Sequence, residues 1–292
     1  EQKKRSFENK NAFYASLNKS LKDESIYIQA ANYEENEIDL AVASTRFNSF
    51  TRTAGRSARI ASALAIPEVE RINIHTMNGD LEVHKISFNR KEFLEADRSE
   101  GSANEVLSKT IIESSSNIPL YETADFRPTV NFPEFTWNMS PGLKHQIGGP
   151  EGFYLGQLFW STNTILKFKR NLTLYTNFGI NIYDTFNDFN NPSSSELPHV
   201  RSDIQDYLKE GKNNIQRMKL EYMFSPFKDV FFRADLGLME EMFAGVGGEI
   251  LYRPFNNRTA VGLTFHRVRQ RDYDQLFSLR EYETNTGHFK LY

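Results

Sequence analysis

Residues 172–183 read LTLYTNFGINIY. The even positions are Leu172, Leu174, Thr176, Phe178, Ile180 and Ile182. The odd positions are Thr173, Tyr175, Asn177, Gly179, Asn181 and Tyr183. Successive side chains of a strand point to opposite faces, so this segment has one greasy and one wet face. Its length and alternation fit a wall between lipid and water.

The same pattern extends outward. Strands are expected at 152–168, 172–183, 214–224, 229–239, 243–253, 258–269 and 280–292. Lys169–Asn171, Ser225–Lys228 and Pro254–Asn257 are tight connections, whereas 184–213 is long and 270–279 intermediate. Short turns alternating with longer loops are the habit of outer-membrane barrels; the short link 240–242 is the exception. A helix is expected at Val200–Glu210, between Pro198 and Gly211. Seven strands do not close a single-chain barrel, which takes an even number from 8 upward. An open edge in lipid leaves backbone groups unpaired at several kcal/mol each. The sheet is therefore expected to belong to a truncated, split or larger barrel, or to be completed by another chain.

Composition narrows the classes. The chain has 292 residues, a net charge of −3 and no cysteine. Near-balanced charge argues against a nucleic-acid binder. Without cysteine there is no disulfide, zinc thiolate or thiol nucleophile. Aromatics make up 13%, yet mean hydropathy is −0.56, and no stretch approaches the roughly 20 apolar residues of a membrane helix. A barrel escapes that test because half of each strand is polar. The start, EQKKRSFENK, lacks the apolar region of a signal peptide. An exported protein would have lost its signal or been cut from a longer precursor.

Residues 1–107 read as a small α+β unit, and 108–150 as a linker or irregular segment. The segment 151–292 reads as the incomplete antiparallel barrel. A helix is expected at Ser6–Leu21, with Phe7, Tyr14, Leu17 and Leu21 on one face. Strands follow at Ile26–Ala30 and Ile38–Ser44, then a helix at Thr51–Leu64. Val69–Met77 and Leu81–Phe88 form a hairpin around Asn78-Gly79. The Pro-, Gly- and aromatic-rich stretch RPTVNFPEFTWNMSPGLKHQIGGP (127–150) reads as an irregular wrap or as a bridge between the two domains.

Charges inside the alternating segments are the candidate site residues. Arg233 and Asp235 lie opposite Val230, Phe232, Ala234, Leu236 and Leu238; Glu249 and Arg253 lie opposite Ala244, Val246, Ile250 and Tyr252. A charge on a lipid face costs about 2–4 kcal/mol near the midplane, so these are expected to point inward. There they form either salt bridges filling a narrow interior or a polar track for a sugar chain. The glycines of GVGGE (245–249) lack nucleotide-loop spacing and are expected to let the strand bend or accept a neighbouring aromatic. Arg52, Arg56 and Arg59, with Arg46 upstream, suit either an anion or pairing with Glu34, Glu35 and Glu37. His75 and His84 are expected to face each other as a surface pair across the hairpin. No histidine spacing suits zinc, and no serine-hydrolase elbow is present. Nothing in the sequence sets Glu240/Glu241 or Asp272/Asp274 at the separation glycoside hydrolysis needs.

LPHVRSD (197–203), EEMFAGVGGEILYRP (240–254), QRDYDQ (270–275) and TGH (286–288) resemble the YjbH family of bacterial exopolysaccharide and capsule biosynthesis proteins. TAGRSARIASAL (53–64) carries a weaker likeness. The resemblance implies an outer-membrane protein with barrel segments and a periplasmic α/β domain. It implies a non-enzymatic role in export or surface assembly of polysaccharide, with no cofactor. LPHVRSD and QRDYDQ would lie in outer loops. It marks Arg201, Asp203, Glu249, Arg271 and Asp272 as functional candidates beside Arg233, Asp235 and Arg253. Outer-membrane lipid, polysaccharide and periplasmic export proteins are the expected partners. This chain is short for the family pattern, lacking an N-terminal barrel section and the rest of the C-terminal barrel. A partner-docking module of a secretion apparatus and an outer-membrane glycan-acting enzyme are the alternatives.

Overall fold

The computed structural model describes residues 10–34, 36–98, 100–149, 152–188, 196 and 199–292. They fall into two compact units. The first holds the described residues of Glu1–Val130 with the turns Ser225–Val230 and Arg253–Arg258. The second holds those of Asn131–Phe224, Phe231–Tyr252 and Thr259–Tyr292. Among the described residues no helix is long and apolar enough to cross a membrane.

In the first unit, helix α1 (Lys10–Asp23) turns Phe13, Tyr14, Leu17 and Leu21 inward. The expected Phe7 lies outside the described residues. Strands β1 (Ile26–Glu34) and β2 (Glu37–Ser44) pair antiparallel. Helix α2 (Phe50–Leu64) starts at Ser49, whose Oγ accepts from the Arg52 amide, a cap worth about 1 kcal/mol. It carries the chain to β3 (Arg71–Asn78), parallel to β2, and β4 (Leu81–Asn89) returns antiparallel. The expected α-β-β-α-β-β order holds. The α2 face towards the sheet is Ala54, Ser57, Ala58 and Ala61; small side chains let the helix sit close over Ile38, Leu40, Ile72 and Ile74. Each of these large side chains contributes about 1.5–3 kcal/mol by leaving water.

Arg90 opens α3 (Arg90–Asp97) and closes the end of α2. Its Nη2 donates to the Ser62 and Ala65 carbonyls at 3.1 and 2.9 Å, and its Nη1 to those of Val69, at 3.0 Å, and Ile66. It thereby satisfies carbonyls that a helix end leaves without partners.

Three local expectations give way here. The hairpin turn is Gly79–Asp80, since Asn78 pairs with Leu81 and Gly79 holds φ 62°. A register shift at Thr76/Met77 pairs Thr76 with His84, so His75 and His84 do not face each other. The expected linker from residue 108 is structured at its start: α4 (Ala103–Lys109) leads into β5 (Ile111–Ser114), which extends the sheet to the order β1-β2-β3-β4-β5. A short helix α5 (Leu120–Thr123) follows.

The second unit is one antiparallel sheet of eight strands, not seven. They are β6 (Glu134–Gly149), β7 (Gly152–Lys169), β8 (Leu172–Asp184), β9 (Asn214–Phe227), β10 (Val230–Leu238), β11 (Phe243–Tyr252), β12 (Val261–Arg271) and β13 (Leu279–Leu291). They lie in chain order, and among the described residues β6 and β13 are the two edges. No closed barrel forms among these residues. Helix α6 (Ile204–Glu210) sits in the β8–β9 connection.

Strand β6 replaces the expected irregular wrap. Phe135, Trp137, Met139, Leu143 and Ile147 alternate with Thr136, Asn138, Ser140 and Lys144 and are exposed on one face. Pro141 disguised the pattern. It is tolerated because β6 is an edge strand, where a missing N–H breaks no ladder.

The two faces of the sheet differ. Leu236, Val246, Ile250, Leu263, Phe265 and Phe289 are exposed, Leu263 at 53% and Phe289 at 71%. Lys219, Arg233, Asp235, Glu249 and Lys290 occupy the other face, while Arg267 and Glu283, paired at 2.9 Å, follow Leu263, Phe265 and Phe289 in the alternation of β12 and β13. Leu238 departs from the alternation: Gly237 holds φ 127°, and Leu238 packs with Ile215 and Ala244.

Candidate functional site

The polar face of the second unit has three parts, and the first is an ionic ladder over β9–β13. Lys219 on β9 meets Glu221 at 2.7 Å and Asp235 on β10 at 3.9 Å. Arg233 reaches Asp235 at 3.7 Å and Glu249 on β11 at 2.8 Å. His266 on β12 holds Asp235 at 3.1 Å, and Lys290 on β13 holds Glu249 at 3.2 Å.

The last two contacts each skip a strand, and glycine makes that possible. His266 pairs with Gly247 of β11; a β-carbon there would lie 2.1 Å from the imidazole. The ring lies across the gap and reaches Asp235. Lys290 pairs with Gly262 of β12 and reaches over it to Glu249. The remaining GVGGE glycines admit backbone: β-carbons at Gly245 and Gly248 would lie 2.2 Å from the Arg267 oxygen and 2.6 Å from that of Arg233.

The second part is a tied set of loops. Arg271 is fully buried. It donates to the carbonyls of Glu240 at 2.6 Å, Leu276 at 2.9 Å and Gln275, which fixes the β10–β11 link against the β12–β13 loop. Tyr207 of α6 donates to the Arg271 carbonyl, and Gln275 donates back to Tyr207 O at 2.7 Å. Tyr273 donates to Asp203 at 3.0 Å, and His199 holds the other carboxylate oxygen. Burial pushes the Tyr207 and Tyr273 phenols up to about 12, so both remain donors.

The third part is an open cavity of about 540 Å³. Three asparagines in register line one wall: Asn138 of β6 pairs with Asn163 of β7, which pairs with Asn177 of β8. Asn177 donates to Asn163 at 2.7 Å, and Asn163 to Asn138 at 3.1 Å. Arg217 of β9 is the next position in the row. Opposite lie Arg201, Glu240, Glu241 and Met242. Arg201 binds Glu240 at 2.8 Å, and Lys144 pairs with Glu241. Such an arrangement of amides, guanidinium groups and an apolar floor of Ile165, Ile204 and Met242 suits a polar ligand with hydroxyls.

The YjbH family model, described as exopolysaccharide biosynthesis protein YbjH, matches residues 1–292. The chain belongs to that family. It is 33% identical over 170 residues to the uncharacterized lipoprotein YjbH of Escherichia coli (strain K12). The match covers 54% of this chain and 23% of that protein. No solved structure matches.

The sequence candidates of this YjbH-family chain sort cleanly. Arg233, Asp235 and Glu249 meet in the ladder. Arg201 lines the cavity. Asp203 and Arg271 belong to the tied loops, where Arg271 bonds only backbone carbonyls. Asp272 accepts from Arg280 at 3.3 Å in the same loop. Arg253 does not join Glu249: it lies past the end of β11, in a turn of the first unit, 3.5 Å from His84 Nε2. Alternation no longer governs its direction there. Pro198 and Leu197 lie outside the described residues. Two of the α2 arginines are paired, with other acids than expected: Arg56 binds Glu24 at 2.7 Å and Arg59 binds Asp97 at 2.8 Å.

Sequence reading missed Asn138, Asn163, Lys144 and Arg217. The signal was available once β7 and β8 are folded about Lys169–Asn171, because Asn163 and Asn177 then fall opposite each other. It also missed His75, which is buried in the first unit between Glu82 at 2.9 Å and Asp39 at 3.2 Å. Among the described residues no group of three His, Asp or Glu side chains could hold a metal ion.

Proposed function

We propose that the second unit is a wall segment of an outer-membrane β-barrel and that the first unit resides in the periplasm. In this reading the protein aids export or surface assembly of exopolysaccharide or capsule and catalyses no reaction. The observation that carries the reading is the two-faced sheet: exposed Leu236, Ile250, Leu263 and Phe265 on one side, and the Lys219–Asp235–Glu249–Lys290 ladder on the other. In water the first face would be a large apolar patch; lipid is its favoured solvent, and the ladder charges lie on the opposite side. Exposed aromatics near strand ends, such as Phe135, Tyr154, Tyr183 and Tyr252, suit the interfacial girdles of such barrels. The lipoprotein name of the E. coli relative and the description of the family accord with this role. Outer-membrane lipid, polysaccharide and periplasmic export proteins are the partners it requires.

The test is biochemical and genetic. The protein should fractionate with the outer membrane, need detergent for extraction and migrate differently in gels before and after boiling. Deleting the gene should deplete surface polysaccharide while an internal pool accumulates. A detergent-independent monomer, or loss of both pools, would overturn the export reading.

A further inference from the structure

We propose that the 540 Å³ cavity is a binding subsite for an acidic sugar residue of the exported chain. Sugar hydroxyls meet the Asn138–Asn163–Asn177 row, and the sugar carboxylate meets Arg217. This rests on the reading of the protein as a polysaccharide-handling component and names the ligand chemistry of its inner face.

The argument begins with donors. A carboxamide nitrogen carries two hydrogens. Within the row, Asn177 and Asn163 each spend one on the next asparagine, and Ser161 donates to the Asn177 oxygen at 3.3 Å. Asn138 Nδ2 donates to no described residue. The row therefore keeps spare N–H groups aimed at a ligand, while its amide oxygens are engaged. Four strands at a spacing of about 4.8 Å make this polar row roughly 14 Å long.

Charge selects the ligand further. Glu240 is neutralised by Arg201 and Glu241 by Lys144. Arg217 is exposed and its side chain makes no hydrogen bond or ion pair among the described residues. Surplus donors and an uncompensated guanidinium favour an anion with a planar, two-oxygen head, which a guanidinium binds bidentately. A uronic-acid carboxylate beside ring hydroxyls has that form. The apolar floor of Ile165, Ile204 and Met242 offers contact for the C–H face of a sugar ring.

The contrast with the ladder over β9–β13 sharpens the assignment. There every named charge already has a partner of opposite sign, so a ligand would have to break an ion pair to bind. At the asparagine row it need displace only water.

The test uses the full chain in detergent, with oligogalacturonate and its carboxyl-reduced form as probes. Titration calorimetry should show the acid form binding at least about tenfold tighter, with the preference shrinking at high salt as screening predicts. Arg217→Gln should abolish the preference while leaving the reduced sugar unaffected. Asn163→Leu should weaken both. Equal binding of the two probes by the wild type, no binding of either, or an unchanged preference in R217Q would overturn the proposal. Heat-modifiable mobility of the same preparations separates the two readings. A folded, heat-modifiable protein that ignores both probes sinks the subsite alone. A water-soluble chain that binds them sinks the membrane reading alone.

Discussion

The buried histidine of the first unit makes a sharp prediction. His75 is 3% exposed and lies between Asp39 and Glu82. Burial by itself lowers an imidazole and raises carboxylates. Here the mutual hydrogen bonds and charges outweigh it, so His75 is raised above 6.5, and Asp39 and Glu82 fall below 3.8 and 4.5. Glu82 is held down further by the Ser116 and Leu120 amides, each at 3.0 Å. Replacing His75 by Gln removes the cation and leaves the buried Glu82 and the half-buried Asp39 facing each other's field. Removing one partner of a buried pair costs about 3–5 kcal/mol. At about 1.4 kcal/mol per factor of ten, that is two to three and a half orders of magnitude in amide protection along β3 and β4. The sign with pH follows from the shifts. The His75 contribution is full below its unfolded value of about 6.5 and is lost as pH rises through its higher folded value. The carboxylate contributions are present above their unfolded values of about 4 and are lost as pH falls through the lower folded ones. Hydrogen exchange read by mass spectrometry on the full chain should therefore show the largest gap between wild type and H75Q from about pH 4.5 to 6.5. Equal protection at pH 5.5, or a gap that widens with rising pH, would refute the reasoning.

Three further outcomes are expected. Leu263→Arg places a charge on the apolar face and should destabilise the protein in lipid vesicles by about 2–4 kcal/mol, measured from urea titrations of the folded gel band; Thr284→Arg, off that apolar face, should cost far less. Gly247→Ala puts a β-carbon 2.1 Å from the His266 ring and should break its contact with Asp235 at 3.1 Å, visible as displaced His266 ring resonances by NMR. Arg90→Lys keeps the charge but loses the fork that reaches four carbonyls. At about 1.5–3 kcal/mol per charged hydrogen bond, it should loosen the end of α2, seen as faster exchange in 60–70.

Much of this was legible in the sequence, for identifiable reasons. The 3.6-residue face of α1 and the alternation of β8 are one-dimensional signals, and both elements were found. That Arg233, Asp235 and Glu249 share the face opposite Leu236 and Ile250 followed from the alternation of β10 and β11. Strand β6 was hidden because prolines weigh as breakers unless the strand is known to be an edge, which depends on the whole sheet. Arg253 was misplaced because alternation continues on paper past the point where the strand stops. His75 was read as a surface residue because its partners are 7 and 36 positions away. A single register shift at Thr76/Met77 decides which neighbours it meets.

The glycines show how one sequence feature serves both the wall and its interior. Side chains of neighbouring strands lie close on one face of a sheet, and a continuous row of large groups would not fit here. Gly247 and Gly262 leave gaps in β11 and β12, and the next strand's His266 and Lys290 fill them. The filled gaps turn isolated ion pairs into one network, because Asp235 and Glu249 each receive cations from both sides. A carboxylate shared by several cations resists rotation into a new partner, so this half of the polar face is fixed. In the β6–β9 half the gaps at Gly142 and Gly179 are filled by Phe159 and by Asn214 and Gln216 rather than by an ion contact that skips a strand; its asparagine row keeps hydrogens to spare, and Arg217 beside it makes no ion pair among the described residues. Polar surface that satisfies itself supports the fold, and polar surface left unsatisfied is where a ligand with hydroxyls gains most by contact. In the function proposed above, the locked half is wall and the open half is track.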